Sequence, residues 1–404
     1  MVEAALIVQA LRTPRGAAKA SGSLHSLSPA QLLSGHLSEL RERSGVPIEQ
    51  VSDAVFGCVT QTGEQGGNIG KIACMLGGWS PQMSAVTLNR YCASGLSAVS
   101  WAAQQALAMD SLTLAGGVEM MSRVPMLSDQ PPFTQDDTLA RQIGYLPPPW
   151  SSDLVATRLG LSRADCDEYA ALSQTRAAAA HQQGVPMPSR IPVHDRQGHL
   201  LLAHDENVRP GSNAEKLGSL KPIYENGAAE LDAWALAREP ELGRIAHVHT
   251  AGNAPCMADG AAAVLLGSAR AVHAAGLNAR ARILASADAC VPLVQTGAVQ
   301  ASERALQKAG LQPSDIELWE VRDSFAAITL HYLRSLQIPL ERFNVNGSAI
   351  ALGHPMGATG AMLLSCLLDE MDRRNLRLGL VAIAGAMGVA TAAVIERLPK
   401  GSHA

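Results

Sequence analysis

Two side chains in this sequence have the type and the setting for covalent chemistry. Cys92, in the run Thr87 to Leu96, sits where an apolar strand pattern turns through Ala93, Ser94 and Gly95 into a helical one. Backbone N–H groups and the dipole at such a turn favour the thiolate, the nucleophilic form of cysteine. His354 lies in the run Asn346 to Gly360, where four glycines and Pro355 fix an irregular loop around it. An imidazole held that way serves as a base or as a donor. Each residue also has a plainer reading, since a solitary cysteine is often a small buried apolar residue and a loop histidine often a surface one.

The elements that must position them follow an α/β pattern. Short apolar runs such as Ala4–Gln9, Ala54–Cys58 and Met83–Leu88 alternate with Ala-rich segments of helical period, which predicts mixed sheets covered by helices. The uncharged run from Gly379 to Ile395 is too short and too rich in Gly and Ala to span a bilayer and reads as a buried hairpin. Ser162 to Gln183 reads as a helix, with Ser162 as N-cap, Asp165 three residues on and Gly184 just beyond its end. On either side, Met121–Trp150 and Met187–Val248 break the pattern with Pro, Gln, His and Gly, which predicts an insertion lying over the core as a lid or an oligomer contact.

A weak internal repeat links the two candidate residues. A strand at Ala85–Asn89 leads to Ala93-Ser94-Gly95, a helix, and a strand ending at Gly117; a strand at Phe343–Asn346 leads to Ala358-Thr359-Gly360, a helix, and a strand ending at Gly385. Two helix N-termini are thereby expected to face one site.

Composition narrows the classes of function. The 404 residues, 47% hydrophobic and 17% charged, imply two or three packed units rather than one small module. A net charge of −4 with 3% aromatics offers neither the basic field nor the stacking rings that nucleic acid requires. Residues 1–16 lack the pattern of a secretory signal and read as a first strand. Seven scattered cysteines, none in a C-x-x-C pair, argue against a disulfide frame and against a structural metal site, and fit a reducing, cytoplasmic location. The tail Gly401–Ala404 reads either as native or as a remnant of expression.

The motifs NRYCASGL (89–96), AGGVEMMSRVP (115–125), HTAGNAPCMADGAAA (249–263) and NGSAIALGHPMGATG (346–360) resemble, in order and spacing, the signatures of the thiolase superfamily, over Ala5 to about Leu398. The resemblance implies a duplicated thiolase fold with a layered αβαβα core. Its expected parts are an N-terminal half (1–120 with 249–270), an inserted loop domain (121–248) and a C-terminal half (271–398). It also implies that Cys92 accepts the acyl group and that His354 activates it and helps to hold the thioester oxygen. The backbone N–H groups of Cys92 and Ala384 would form an oxyanion hole. By the same resemblance Arg209 lies near the coenzyme A nucleotide, Pro255 meets the pantetheine arm, and Phe325 lines the acyl pocket.

Departures from the family pattern fall inside the site. The family's C-x-G-G-G-x-G turn is here Ala382 to Gly388, so the cysteine that moves a proton in the carbon–carbon step is replaced by a methyl group. Loss of a positioned acid/base costs about 10²–10⁴ in rate. The N-E-A-F segment is Arg322-Asp323-Ser324-Phe325, which puts a cation where an asparagine holds a water. Pro255 replaces a serine, and Cys256 and Ser324 are the groups nearest to substitutes for the missing thiol.

These features imply an acyl-CoA C-acyltransferase, acting by thiolysis of 3-ketoacyl-CoA or by condensation. The other readings are a relative that transfers or hydrolyses acyl groups without carbon–carbon chemistry, and a non-catalytic acyl-CoA-binding subunit. Coenzyme A thioester is expected as substrate with no separate cofactor, and the assembly as a homodimer or homotetramer.

Overall fold

The computed structural model describes residues 4–399; residues 1–3 of the first segment and residues 400–404, which include the tail Gly401–Ala404, lie outside them. Alternation along the strands decides the architecture. In β1 (Ala5–Arg12), Ala5 and Ile7 enter one core while Leu6 and Val8 enter another, as the period of two requires when both faces of a sheet are covered. The strands that follow are β2 (Gly16–Ala17), β3 (Val51–Gly57), β4 (Val86–Leu88), β5 (Leu112–Met120), β6 (Val193–His194), β7 (Leu200–Leu202), β8 (Ala258–Gly267), β9 (Ala281–Cys290), β10 (Leu318–Val321), β11 (Leu378–Ala384) and β12 (Val389–Arg397).

Two half-sheets repeat one pattern. In the first, β1 is antiparallel to β8 and β8 to β5, while β5 is parallel to β3 and β3 to β4. In the second, β9 is antiparallel to β12 and β12 to β11, while β11 is parallel to β10 and Trp319 of β10 makes a parallel bridge to Phe343. A short pairing, Ala5↔Ile283 to Ile7↔Ala281, joins the halves. Strand order and direction thus agree with the duplication. The strand expected at Phe343–Asn346 is corrected, because only Phe343 pairs. Asn344 turns the chain at φ 44°, and its side-chain oxygen accepts the Val321 N–H at 2.8 Å, in place of a backbone neighbour.

Helices α1 (Pro29–Ser44) and α2 (Ile69–Leu76) cover the outer face of the first half-sheet, and α3 (Ser94–Met109) packs on its inner face. The insertion carries α4 (Asp137–Gln142), α5 (Pro148–Arg158), α6 (Arg163–Gln182), α7 (Ala214–Gly218) and α8 (Ala229–Leu236), besides the β6–β7 hairpin. As the sequence predicts, α6 begins with a Ser162/Asp165 capping box. After α9 (Ala269–Ala274), helices α10 (Ala298–Ala309) and α11 (Ala326–Leu336) cover the outer face of the second half-sheet. Then α12 (Ala349–Leu352) leads into α13 (Met356–Arg374), which shares the middle core with α3.

The layers therefore run helix, sheet, helix, sheet, helix, with α3 and α13 in the centre. Glycine allows their close crossing: a Cβ on Gly360 would lie 2.4 Å from the Leu96 nitrogen, and one on Gly95 would lie 2.6 Å from the Gly357 oxygen. The uncharged run 379–395 is the buried hairpin of β11 and β12. The insertion is fastened to the second half by an apolar cluster that includes Leu146, Trp150, Leu154, Ala235, Val294 and Phe325. Among the described residues no helix is long and apolar enough to cross a membrane.

Candidate active site

Cys92 stands in the sharp turn between β4 and α3. Tyr91 adopts φ 48°, a left-handed conformation unusual for a bulky side chain, and local hydrogen bonds hold it there. Asn89 Oδ1 accepts from the Tyr91 N–H at 2.8 Å, and the Ser94 hydroxyl accepts from the Arg90 N–H at 2.8 Å while donating to the Tyr91 carbonyl at 2.5 Å. The half-buried Cys92 packs against the middle core. Gly385, just past β11, lies against this turn, since a Cβ there would be 3.1 Å from the Cys92 nitrogen.

Two main-chain donors lie beside this junction. No acceptor among the described residues takes the Cys92 N–H. The ladder between β11 and β12 uses the Gly385 N–H, which bonds the Val389 carbonyl at 2.7 Å. By alternation the Ala384 N–H faces the other way, where pairing with β10 has ended at Val321↔Ala382.

His354 follows Gly353, whose φ of 107° and whose neighbours, 2.7 Å from where a Cβ would be, require glycine. The His354 N–H bonds the Cys256 carbonyl at 2.7 Å. Its ring is fixed at both nitrogens. Thr359 donates its hydroxyl to the Pro355 carbonyl at 3.1 Å and so accepts from Nδ1–H of His354 at 2.7 Å. Nε2 is then an acceptor, and it receives Nη1–H of Arg322 at 2.9 Å. Burial, together with the charges of Arg322 and Arg15, holds the imidazole pKa well below its ordinary value, so His354 is neutral at physiological pH.

Arg322 is the residue that links the two halves of the site. It is 4% exposed, its N–H bonds the Ala382 carbonyl at 3.1 Å, and Nη2 donates to Gln295 Oε1 at 3.2 Å. No acceptor among the described residues takes its Nε proton. Burial lowers the guanidinium pKa, while nearby Cys92 and Asp323 act in the opposite sense.

The remaining sequence candidates surround this core. Asp323, pushed up to about 6 by burial, accepts the Ile350 N–H at 2.8 Å and the Ser173 hydroxyl at 2.6 Å, tying α12 to α6. Ser324 is buried beside Arg322, Gln295 and Ala384 in a narrow cavity. Phe325 is buried in the insertion cluster, edge-on to His249 with ring centroids 5.4 Å apart. Pro255 is half-buried. The Cys256 thiol points to the Ile350 carbonyl at 3.6 Å, and burial raises its pKa. Arg209 is exposed, and its segment lies over the His354 loop, with Asn207 Nδ2 donating to the Leu352 carbonyl at 3.2 Å. The methyl groups of Ala382 and Ala384 join the outer core with Val321, Phe343 and Ile350.

Several residues of the site escape a reading of the sequence. Gln295 lies in an unremarkable stretch with no motif to mark it. Thr359 and Glu119 lie inside recognisable motifs, but their roles depend on contacts between distant segments. Glu119 is buried and accepts from the N–H groups of Val59 at 2.9 Å, Thr60 at 3.1 Å and Gly357 at 3.0 Å, and from Gln65 Nε2 at 2.7 Å. One carboxylate thus ties the N-terminus of α13 to the first half-sheet. Among the described residues no group of three His, Cys, Asp or Glu side chains is placed to hold a metal ion.

Comparison with known proteins gives matches along both halves of the chain. Residues 5–230 match the family model "Thiolase, N-terminal domain" and residues 277–397 match "Thiolase, C-terminal domain". The chain is 36% identical over 420 residues to the 3-oxoadipyl-CoA/3-oxo-5,6-dehydrosuberyl-CoA thiolase of Escherichia coli K12, covering 98% of this chain and 99% of the relative. It is 36% identical over 412 residues to a 3-ketoacyl-CoA thiolase of Klebsiella pneumoniae, covering 98% and 100%. With a 3-ketoacyl-CoA thiolase of Bacillus subtilis it shares 34% identity over 409 residues, covering 97% and 99%. Matched in both halves and along nearly its whole length, the chain belongs to the thiolase family.

Proposed function

We propose that this protein is an acyl-CoA C-acyltransferase that forms an acyl-enzyme on Cys92 and passes the acyl group between carbon and the sulfur of coenzyme A. The observation that carries this reading is the approach of Gly385, just past β11, to the Cys92 turn, where a Cβ would lie 3.1 Å from the Cys92 nitrogen. Full-length kinship with proteins named as thiolases supports it over a thioesterase or a non-catalytic subunit.

In thiolysis the Cys92 sulfur attacks the 3-keto carbon of a 3-ketoacyl-CoA. Negative charge collects on the keto oxygen, which the Cys92 and Ala384 N–H groups receive. Collapse breaks the carbon–carbon bond, and the departing acyl-CoA enolate takes up the proton that His354 removed from the thiol; the sulfur of free coenzyme A, giving its proton to His354, then bonds to the acyl carbon as the bond to Cys92 breaks and its electron pair returns to the Cys92 sulfur. His354 takes the thiol proton once a substrate oxygen draws Arg322 away from Nε2. Arg209 holds the nucleotide of coenzyme A at the rim, Pro255 borders the pantetheine arm, and Phe325 limits the acyl pocket. Coenzyme A thioester is the substrate, with no separate cofactor.

A homodimer or homotetramer fits the surface. Among the described residues the outer side of the edge strand β4 is unpaired, and Ile72, Met75 and Leu76 of α2, Val86 of β4 and Trp101 of α3 expose apolar area. A cytoplasmic location fits the seven free thiols and the coenzyme A substrate.

Intact-protein mass spectrometry after incubation with acyl-CoA and 3-ketoacyl-CoA thioesters tests the activity. An adduct on Cys92 that is discharged by coenzyme A supports it, and an adduct that leaves only by hydrolysis refutes it.

A further inference from the structure

Arg15 lies in the loop between β1 and β2, and it is 0% exposed. None of its three guanidinium nitrogens has an acceptor among the described residues. A guanidinium keeps its charge in a folded protein, and a buried charge without a partner is strongly destabilising. Burial and the charge of nearby Arg12 both act against this cation.

The acidic groups around it are spent elsewhere. Asp205 accepts the Arg15 backbone N–H at 2.9 Å, but its side-chain partners are Arg12, at 2.9 and 3.0 Å, and Arg190, at 3.5 Å. Burial would raise the Asp205 carboxyl, yet Arg12, Arg15 and Arg190 together hold it below the usual carboxylate range. Three cations thus gather around one carboxylate. Asp369 serves Ser189 and Arg280, and Asp323 serves Ser173 and the Ile350 N–H. Glu320, which interacts with Arg15, is pushed up to about 8 by burial and by Glu370, so it carries its proton at neutral pH. Burial likewise raises the Cys366 thiol, against the pull of Arg12 and Arg15. Both groups are therefore neutral donors.

There is space beside these groups. Cys366 is only half-buried, although Ser365 and Leu367 on either side of it in α13 are 0% exposed. The side of α13 that interacts with Arg12 and Arg15 therefore borders a hollow in the interior rather than a packed side chain.

We infer that Arg15 binds a small monovalent anion of halide size, enclosed where the β1–β2 loop and the 205–206 segment meet α13. One unpaired positive charge calls for one negative charge, and the Glu320 O–H and Cys366 S–H suit an acceptor. A guanidinium is weakly hydrated and pairs well with an ion that sheds its water readily. Water could accept the Arg15 hydrogen bonds but would bring no charge. The anion fastens the insertion to the core, because Asp205 and Glu206 hold the same loop through the N–H groups of Arg15 and Ala17.

The test uses sodium bromide with the full chain. Crystals soaked in it are measured at the bromine absorption edge, and thermal unfolding is followed in bromide against gluconate at one ionic strength. The expected results are an anomalous peak against the Arg15 guanidinium and a midpoint that rises saturably with bromide by about 2 °C or more. Arg15→Met should lose both the peak and the halide dependence, and should tolerate the change because it removes the buried charge itself. If that variant does not fold, the anomalous map of the unaltered protein still decides. Bromide found only at surface positions, or an equal halide-dependent rise in Arg15→Met, would overturn the inference.

Discussion

Arg322 changes what His354 can do, because a lone pair that accepts from a guanidinium is not free to accept from a thiol. In the resting site His354 is a neutral ring locked by Thr359 on one side and Arg322 on the other. Its service as a base therefore depends on substrate moving Arg322. His354→Ala should slow acylation of Cys92 by about 10²–10⁴, the range for a general base, as read by rapid-quench mass spectrometry; an unchanged rate would remove His354 from the mechanism. Ala382→Cys restores the thiol that the family pattern has at that position. Thiolysis of acetoacetyl-CoA should rise by about ten-fold or more in that variant, and further when Arg322→Asn is added. Should the original protein already turn over 3-ketoacyl-CoA at roughly 1–10³ per second, another group moves the proton and this expectation fails. Cys256 is the weaker substitute, since its thiol is spent on the Ile350 carbonyl.

At the scale of elements, the site is assembled where turns from different segments are pinned together. Glu119 fastens the start of α13, Asp323 fastens α12 to α6, and Asp153 in α5 collects the N–H groups of Val248 and His249 with the rings of His247 and His249. His247 extends that last cluster to α8, with Nδ1 3.0 Å from Asp153 and Nε2 3.1 Å from Asp232, while the Tyr224 ring lies 5.6 Å away. Burial disfavours the charged imidazole, but the two carboxylates outweigh it and raise the pKa above its ordinary 6.5. A raised folded-state pKa means that the stabilisation is fully present below the unfolded value and is lost as pH rises through the folded one. Hydrogen exchange in 229–236, corrected for intrinsic rates, should therefore show weaker protection as pH climbs above about 6.5. In His247→Gln that pH dependence should vanish; its persistence would assign the effect elsewhere.

For the whole molecule, the duplication was legible because Gly-marked turns recur at matching places in the two halves, and strand order repeats it. Cys92 and His354 were legible for the same reason, since each sits in a turn whose glycines leave a local mark. The Arg322–His354 contact was not, because it forms only when the end of β10 meets the 353–355 loop, and no local pattern records that meeting. Likewise the strand expected at Phe343–Asn346 shrank to one residue because Asn344 used its side chain where a strand uses its backbone. Assembly belongs to this scale too. The molecule should sediment as a dimer or larger species, and Trp101→Glu with Val86→Lys should shift it towards monomer; sedimentation of the unaltered protein as a monomer would leave the β4 edge without the proposed partner. Acyl transfer through Cys92 is tested by peptide-resolved mass spectrometry of the protein mixed with a 3-ketoacyl-CoA and then with coenzyme A. An acyl group on Cys92 that returns to coenzyme A on the second addition is the expected result. An acyl group on Cys256 or any other thiol, or none on the protein while substrate is consumed, would contradict it.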